Sequence, residues 1–368
     1  TLSLMSNSLP ALPQSTAAVE WVVLGPDHGM ELFDLLSAVE HKDHALFRTS
    51  QQEVDQMLGR PDTAIAVGAY AVDVAQRGRD QLEDREPGGG SPGQLVAFGY
   101  IGLARSGEKE AICHGGIHPD FRGLGLGEDV MRWQTTKGAE LLNNAFPGER
   151  GRVVHTVDAG RPALHTHLES LGYSWQDSYA ELRHDLARVP EVPTLPQFVE
   201  VLPWHDEWER PTRRAFKRAA SALGENGSDG VDRWSAMRQD TEPQWSFIAV
   251  DRSGDRARVI GLLELACYEQ DWSALGWKEG YIDAVAVFDL ERRTRILEAL
   301  VATAMAAIAK EGLDKIAVGL DPQREQDMMD FYLSLGFDPH VWWRTYSLQV
   351  ESKDKTQSGD IAPVQGDQ

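Results

Sequence analysis

The stretch from Ile112 to Leu142, ICHGGIHPDFRGLGLGEDVMRWQTTKGAELL, narrows what this chain can become more than any other part of it. An apolar run broken by Gly115-Gly116 leads through His118-Pro119 into Arg122-Gly123-Leu124-Gly125-Leu126-Gly127, after which apolar residues recur at helical spacing. The pattern is strand, glycine turn, helix. Glycines let a backbone approach a ligand closely, and the first N–H groups of the following helix have no partners inside it. Together with the positive end of the helix dipole they form an anion site suited to a pyrophosphate. Arg122 adds a permanent charge at the entrance.

Two other glycine loops are excluded by spacing. A Walker loop ends in Gly-Lys-Ser/Thr, whereas this one closes Gly127-Glu128-Asp129. A dinucleotide fingerprint needs G-x-G-x-x-G, and Val130 stands at the third position after Gly127. The pattern R-x-x-G-x-G after a strand ending hydrophobic-x-Pro resembles the acetyl-CoA loop of the GCN5-related N-acetyltransferases. That resemblance implies that acetyl-CoA is the acyl donor, held by Ile117, Arg122, Gly123, Leu124, Gly125, Leu126, Gly127 and Glu128, with no metal.

A chain of 368 residues is long enough for two compact units, and a composition 42% hydrophobic and 25% charged is that of an ordinary globular protein. The formal charge of -21 argues against nucleic acid as a partner and mildly favours a cationic or amine substrate. Cys113 and Cys267, without a C-x-x-C pair, read as buried strand residues in a reducing compartment. No apolar run is long enough for a membrane span, and the first residues lack the basic start and apolar centre of a signal peptide. The expected location is cytoplasmic.

Read in order, residues 1–17 form a loose leader. Residues 18–186 carry the order β-α-α-β-β-β-α-β-α-β, with the glycine turn after the fourth strand and Ser174 to Leu186 as the closing strand. Within them QRGRDQLEDREPGGGSPG (76–93) reads as a mobile hairpin loop, or as a lid over a substrate. The proline-rich run 187–197 is a linker. From Phe198 to residue 351 the same order recurs, an internal repeat of about 170 residues, with Val231 to Arg238 as its second helix. Residues 352–368 form a disordered tail. The expected fold is α/β (α+β): two tandem domains, each a mixed, mainly antiparallel twisted sheet flanked by helices. Tandem copies of this kind resemble the mycothiol synthase group, in which the second copy carries the chemistry; here the pattern is reversed.

The copies differ where it matters. In place of the first glycine turn, the second has Arg292-Arg293-Thr294-Arg295-Ile296-Leu297. The resemblance places a Tyr, which would protonate the departing sulfur, four residues before the glycine of the closing G-F or G-Y pair. That is Tyr332 in the second copy and Leu168 in the first. His165, one helical turn before Leu168, and its neighbour His167 are the substitutes. The resemblance also places a backbone N–H that polarises the thioester carbonyl at Ile117, and a general base at Ala111. Glu110 is adjacent to Ala111 but points to the other face. His114 points the same way as Ile112 and Gly116, is of a residue type suited to proton transfer and sits near the gap; it is the candidate base, with His155 and Asp158 as lesser ones. Gly115-Gly116 lies where a bulge would open the strand.

The implied function is transfer of an acetyl group to the amine of a small molecule, with chemistry in the first copy. Two other readings stand: an acyl-CoA-binding or regulatory protein that keeps the loop without turnover, and a purely structural pair.

Overall fold

A computed structural model of the chain describes residues 12–16, 18–72, 93–104, 108–222, 241–289 and 291–351. The chain divides into two compact units, Thr1–Thr156 with Ala163–Trp175 and Tyr346–Gln368, and Val157–Pro162 with Gln176–Thr345.

The first unit is built on the strands β1 (Val19–Leu24), β2 (Ala64–Ala71), β3 (Leu95–Leu103), β4 (Glu110–Ile117) and β5 (Gly151–Asp158), neighbours in that order. The first four pair antiparallel; β4 and β5 pair parallel. Helix α1 (Gly29–Lys42) buries Leu32 and Leu35, and α2 (Gln51–Leu58) buries Val54 and Leu58, all against the same core as Phe98 and Tyr100. A capping box starts α2: Ser50 Oγ accepts from the Glu53 N–H at 3.2 Å and Glu53 Oε2 from the Ser50 N–H at 2.7 Å. The opposite face takes α3 (Leu126–Ala145), whose buried stripe runs Leu126, Val130, Trp133, Gln134, Gly138, Leu142. A shorter helix, α4 (Pro162–Ser170), precedes the strand β6 (Ser174–Asp185).

The second unit repeats the plan with β7 (Val199–Pro203), α5 (Glu209–Ala222), β8 (Phe247–Asp251), β9 (Arg258–Ala266), α6 (Glu269–Leu275), β10 (Glu279–Val287), α7 (Arg293–Lys310), β11 (Lys315–Leu320), α8 (Gln326–Ser334) and β12 (Asp338–Val350). Its sheet runs β7-β8-β9-β10-β11-β6. Helix α7, with nine buried residues between Ile296 and Ile308, supplies its largest core.

The boundaries expected at 186 and 198 differ from these units. Instead of closing the first unit, residues 180–185 of β6 pair antiparallel with β11 in the second, and Tyr346–Val350 of β12 belong to the first. Alternation along AELRHD decides this. Ala180 and Leu182 face the α7 core, whereas Glu181 and Arg183, both 4% exposed, face the other way. There Arg183 meets Glu279 in a two-pronged ion pair at 2.9 and 3.1 Å, Glu181 accepts from Tyr281 Oη at 2.9 Å, and Trp277 Nε1 donates to Glu279 at 2.7 Å.

Several smaller expectations are corrected. Residues Thr16 and Ser15 of the supposed leader are fastened to β1, the Ser15 hydroxyl accepting from the Trp21 N–H at 3.0 Å. Cys113 is buried in β4 as expected, but Cys267 lies just beyond β9 and is half-buried. Helix α6 (Glu269–Leu275) has no counterpart in the expected order of elements. Most of the 76–93 loop, the helix at Val231 to Arg238 and the tail 352–368 lie outside the described residues.

A buried ion pair that has lost one partner leaves an uncompensated charge. Glu279→Ala should therefore lower unfolding free energy by about 3–5 kcal/mol in urea denaturation. Because Arg183 also faces the buried Glu181 at 3.7 Å, the combined change Arg183→Met, Glu279→Met and Glu181→Gln, which removes all three charges, should cost clearly less than that single change.

Candidate functional site

The ladder between β4 and β5 runs from Glu110/Arg152 to Cys113/His155 and stops, leaving His114 to Ile117 without a β5 partner. The strands splay at this point. The pairing of β4 with β3 is unbroken from Ala111 to Ile117, so the bulge expected at Gly115-Gly116 is absent. The two glycines serve close packing. A Cβ on Gly115 would stand 3.2 Å from Val130 Cγ1 of α3, and one on Gly116 2.9 Å from the Phe98 ring. A bulge does occur in the second unit, where the register of β10 on β9 shifts across Asp283.

His114 stands at the first position of the splay, 5.8 Å from the Tyr100 ring on the α1 side of the sheet. Its side chain reaches solvent, yet protein surrounds it closely enough that desolvation holds its pKa below the ordinary histidine value. An accessible group in dense surroundings describes the floor of a cleft. His155 is buried, and burial, with the nearby His114 charge second, pushes its pKa down to about 4. Asp158 accepts from the Gly160 N–H at 2.7 Å, and Glu110 is ion-paired with Arg152, so neither is free as a base. Gln134, a polar residue in the apolar stripe of α3, donates Nε2 to the carbonyls of His114 at 2.6 Å and Tyr100 at 3.0 Å, fixing the strand there.

Beyond Ile117 the chain makes a 3-10 turn at Pro119–Phe121 and enters the glycine loop. Gly123 and Gly125 have φ of +81° and +85°, a region that side chains with a Cβ rarely adopt, and Gly125 is the N-cap of α3. A Cβ on either would meet no atom within 4 Å, and one on Gly127 only Ile117 Cγ1 at 3.9 Å. The N–H groups of Gly123, Leu124 and Gly125 find no acceptor among the described residues. This open, donor-lined cradle fits a phosphate group.

Two of the expected cofactor residues behave differently. Arg122 holds Asp43, just past the end of α1, at 2.6 and 3.0 Å, and its Nε donates to the Ile117 carbonyl at 3.2 Å. Its charge is compensated, and it braces the loop. Glu128 is turned outward to Arg132 at 2.9 Å, an interaction that lowers its pKa, and its N–H returns to the Gly125 carbonyl. Leu126 is buried, while Leu124 is 63% exposed.

The candidate acids divide. His165 is buried against the Tyr346 ring at 5.4 Å, with neither ring nitrogen hydrogen-bonded among the described residues. His167 contributes weakly to the lowered pKa of Glu128, and its Nε2 is buried with no hydrogen-bond partner among the described residues. Leu168 is fully buried. In the second unit Tyr332 is fully buried too, its hydroxyl has no partner among the described residues, and burial raises its pKa. The start of α7 holds no glycine; Ile296 and Leu297 turn into the core instead. Asp43 and Gln134 escaped the sequence reading, although a glutamine inside the apolar stripe Val130-Trp133-Gln134 was a signal available there.

No protein-family model matches the chain, and no curated protein matches it in sequence. Solved structures do. A GCN5-related N-acetyltransferase from Sphaerobacter thermophilus superposes with a TM-score of 0.65 at 18% identity, over 94% of this chain and 99% of its own. A tandem protein of the same fold from the clavulanic acid biosynthesis pathway gives 0.60 at 15%, over 91% and 100%. Saccharomyces cerevisiae N-myristoyltransferase with bound myristoyl-CoA gives 0.52 at 12%, over 94% and 81%. At these identities the likeness is one of fold.

Gly125→Val would force a β-branched residue into positive φ, at a cost of about 1–2 kcal/mol, and fill the cradle. Calorimetry should show acetyl-CoA affinity lowered at least about tenfold, with the urea midpoint only slightly reduced. Arg295→Val in the second unit should leave acetyl-CoA affinity unchanged.

Proposed function

We propose, from a chain that carries the GCN5-related N-acetyltransferase fold in tandem, that it is an acyl-CoA-dependent N-acyltransferase acting on the amine of a small molecule through its first unit. The observation that carries this reading is the open glycine cradle lying one short turn beyond the splay of β4 from β5. Acetyl-CoA supplies an activated thioester carbonyl. The cradle's N–H groups hold the pyrophosphate, with Arg122 and Asp43 bracing the loop that presents them. Ile117, past the last β5 pair, is assigned as the backbone donor toward the carbonyl oxygen.

His114 takes the proton that the attacking amine gives up. Depression of its pKa keeps the imidazole neutral, and so able to accept, at neutral pH. The amine nitrogen gains the acyl group and the sulfur leaves. A thiol of pKa near 8.5 makes a tolerable leaving anion, so an acid at the Leu168 position is an aid of roughly 10²–10⁴ and not a requirement. His167 is the less buried of the two candidate histidines; His165 is sealed against Tyr346.

The buried Leu168 and the sealed Tyr332 favour the second reading, an acyl-CoA-binding protein without turnover. Release of free thiol from acetyl-CoA across a panel of small amines separates the two. Turnover above the no-protein rate is expected, and binding without release would establish the second.

The base has a definite pH signature. His114 is deprotonated above its lowered pKa, so kcat/KM should hold as pH falls past 6.5 and decline only below it. Tyr100 and His155 are the titratable groups near it, and His155 is already neutral at that pH. His114→Ala should reduce kcat about 10²-fold or more and remove this acid limb.

A further inference from the structure

The second unit, with its loop closed, holds a cleft of another character. About 380 Å³ in volume, it lies where α5 passes the start of β9 and the end of β10, with Arg218, Arg258, Val259, Ile260, Phe288 and Asp289 in its lining. That volume is within the range of small-molecule sites. Val259 and Ile260 are nearly fully buried and Phe288 is half-buried, so one wall is apolar.

The other side is cationic. Asp251 and Asp289 are both committed to Arg292, at 2.8 Å and 3.0 Å, and Arg258 lends one nitrogen to Asp251 at 3.2 Å. Both carboxyls are held below the usual range, Asp251 by its hydrogen bond with Ser253 and then by Arg292, Asp289 by Arg292. Arg218 has no hydrogen bond or ion pair among the described residues. Three guanidiniums therefore stand against two carboxylates in a chain whose formal charge is -21. In the first unit the corresponding loop arginine, Arg122, is balanced by Asp43, with no such surplus between them.

We propose that this cleft binds a small organic anion, a carboxylate or phosphate joined to an apolar body. The guanidinium fork of Arg218 and the uncommitted nitrogens of Arg258 match the oxygens of such a group, and Phe288 with Val259 and Ile260 receives the body. A cation is opposed by the same surplus. Coenzyme A in its usual pose does not fit here, because Ile296 and Leu297 occupy the start of α7. The site is thus independent of the donor cradle in the first unit.

Calorimetry on the full chain with benzoate, phenyl phosphate, inorganic phosphate and benzylamine tests it. At least one of the two organic anions should bind with one site per chain. Whichever does so reports whether carboxylate or phosphate is preferred. Inorganic phosphate should bind at least about tenfold more weakly, and benzylamine should give no signal. Arg218→Glu, at an exposed position, should weaken the organic anion at least about tenfold without moving the urea midpoint. Gly125→Val should not alter it. Absence of binding by both organic anions, equal binding of inorganic phosphate, unchanged affinity in Arg218→Glu, or loss in Gly125→Val would each overturn the proposal.

Discussion

The hydrogen-bonded ladder between β4 and β5 ends at Cys113 and His155, and the first unit's site is arranged around that end. A parallel pair that separates leaves strand N–H and C=O groups facing open space, which in a buried sheet is costly unless something takes their place. Gln134 reaches from α3 to the His114 and Tyr100 carbonyls and braces β4 on β3 at this point, and Gly115 leaves room for α3 there. The backbone groups of β4 past Cys113 that face β5 are left to the splay, with His114 exposed at its start. Packing on one side of the sheet thus keeps the other open.

In the second unit polar groups are used for placement. Two strands with similar alternation, β6 and β12, could each compete for the edge beside β11. Glu181 and Arg183 mark β6 for that position, because buried in any other register they would lack Tyr281 and Glu279. Such pairs add little net stability over apolar residues of similar volume. Their value lies in penalising the wrong strand, since each misplacement would leave a charge buried alone.

What was legible in the sequence follows from this. The strand, turn and helix around Arg122 to Gly127 could be read because positive φ and open space select glycine, and glycine at close intervals leaves a visible mark. The repeat was visible because the same alternation returns. The unbroken register at Gly115-Gly116 was not, since it depends on Val130 and Gln134 approaching from a separate helix. Nor was the tie from Arg122 to Asp43, residues 79 positions apart. The placement of β6 left one trace, the charged residues that alternate with Ala180 and Leu182 in AELRHD, whose meaning depended on partners about 100 residues later in the chain.

The two helix starts differ in what they leave open while the fold around them stays the same. Where α3 begins, glycines hold side chains away and backbone donors face outward; where α7 begins, Ile296 and Leu297 point inward and join the core. Burying a side chain of that size contributes about 1.5–3 kcal/mol, which a loop kept open for a ligand must forgo. An inward-pointing apolar side chain at a helix start therefore adds stability that a glycine there does not. Tyr332 is sealed in the same unit, its hydroxyl buried without an acceptor among the described residues. An unsatisfied hydroxyl of that kind costs about 1–3 kcal/mol, a loss the added core around it can offset. Its ring packs 5.0 Å from that of Phe337, and a hydroxyl so enclosed is placed for packing and not for proton transfer.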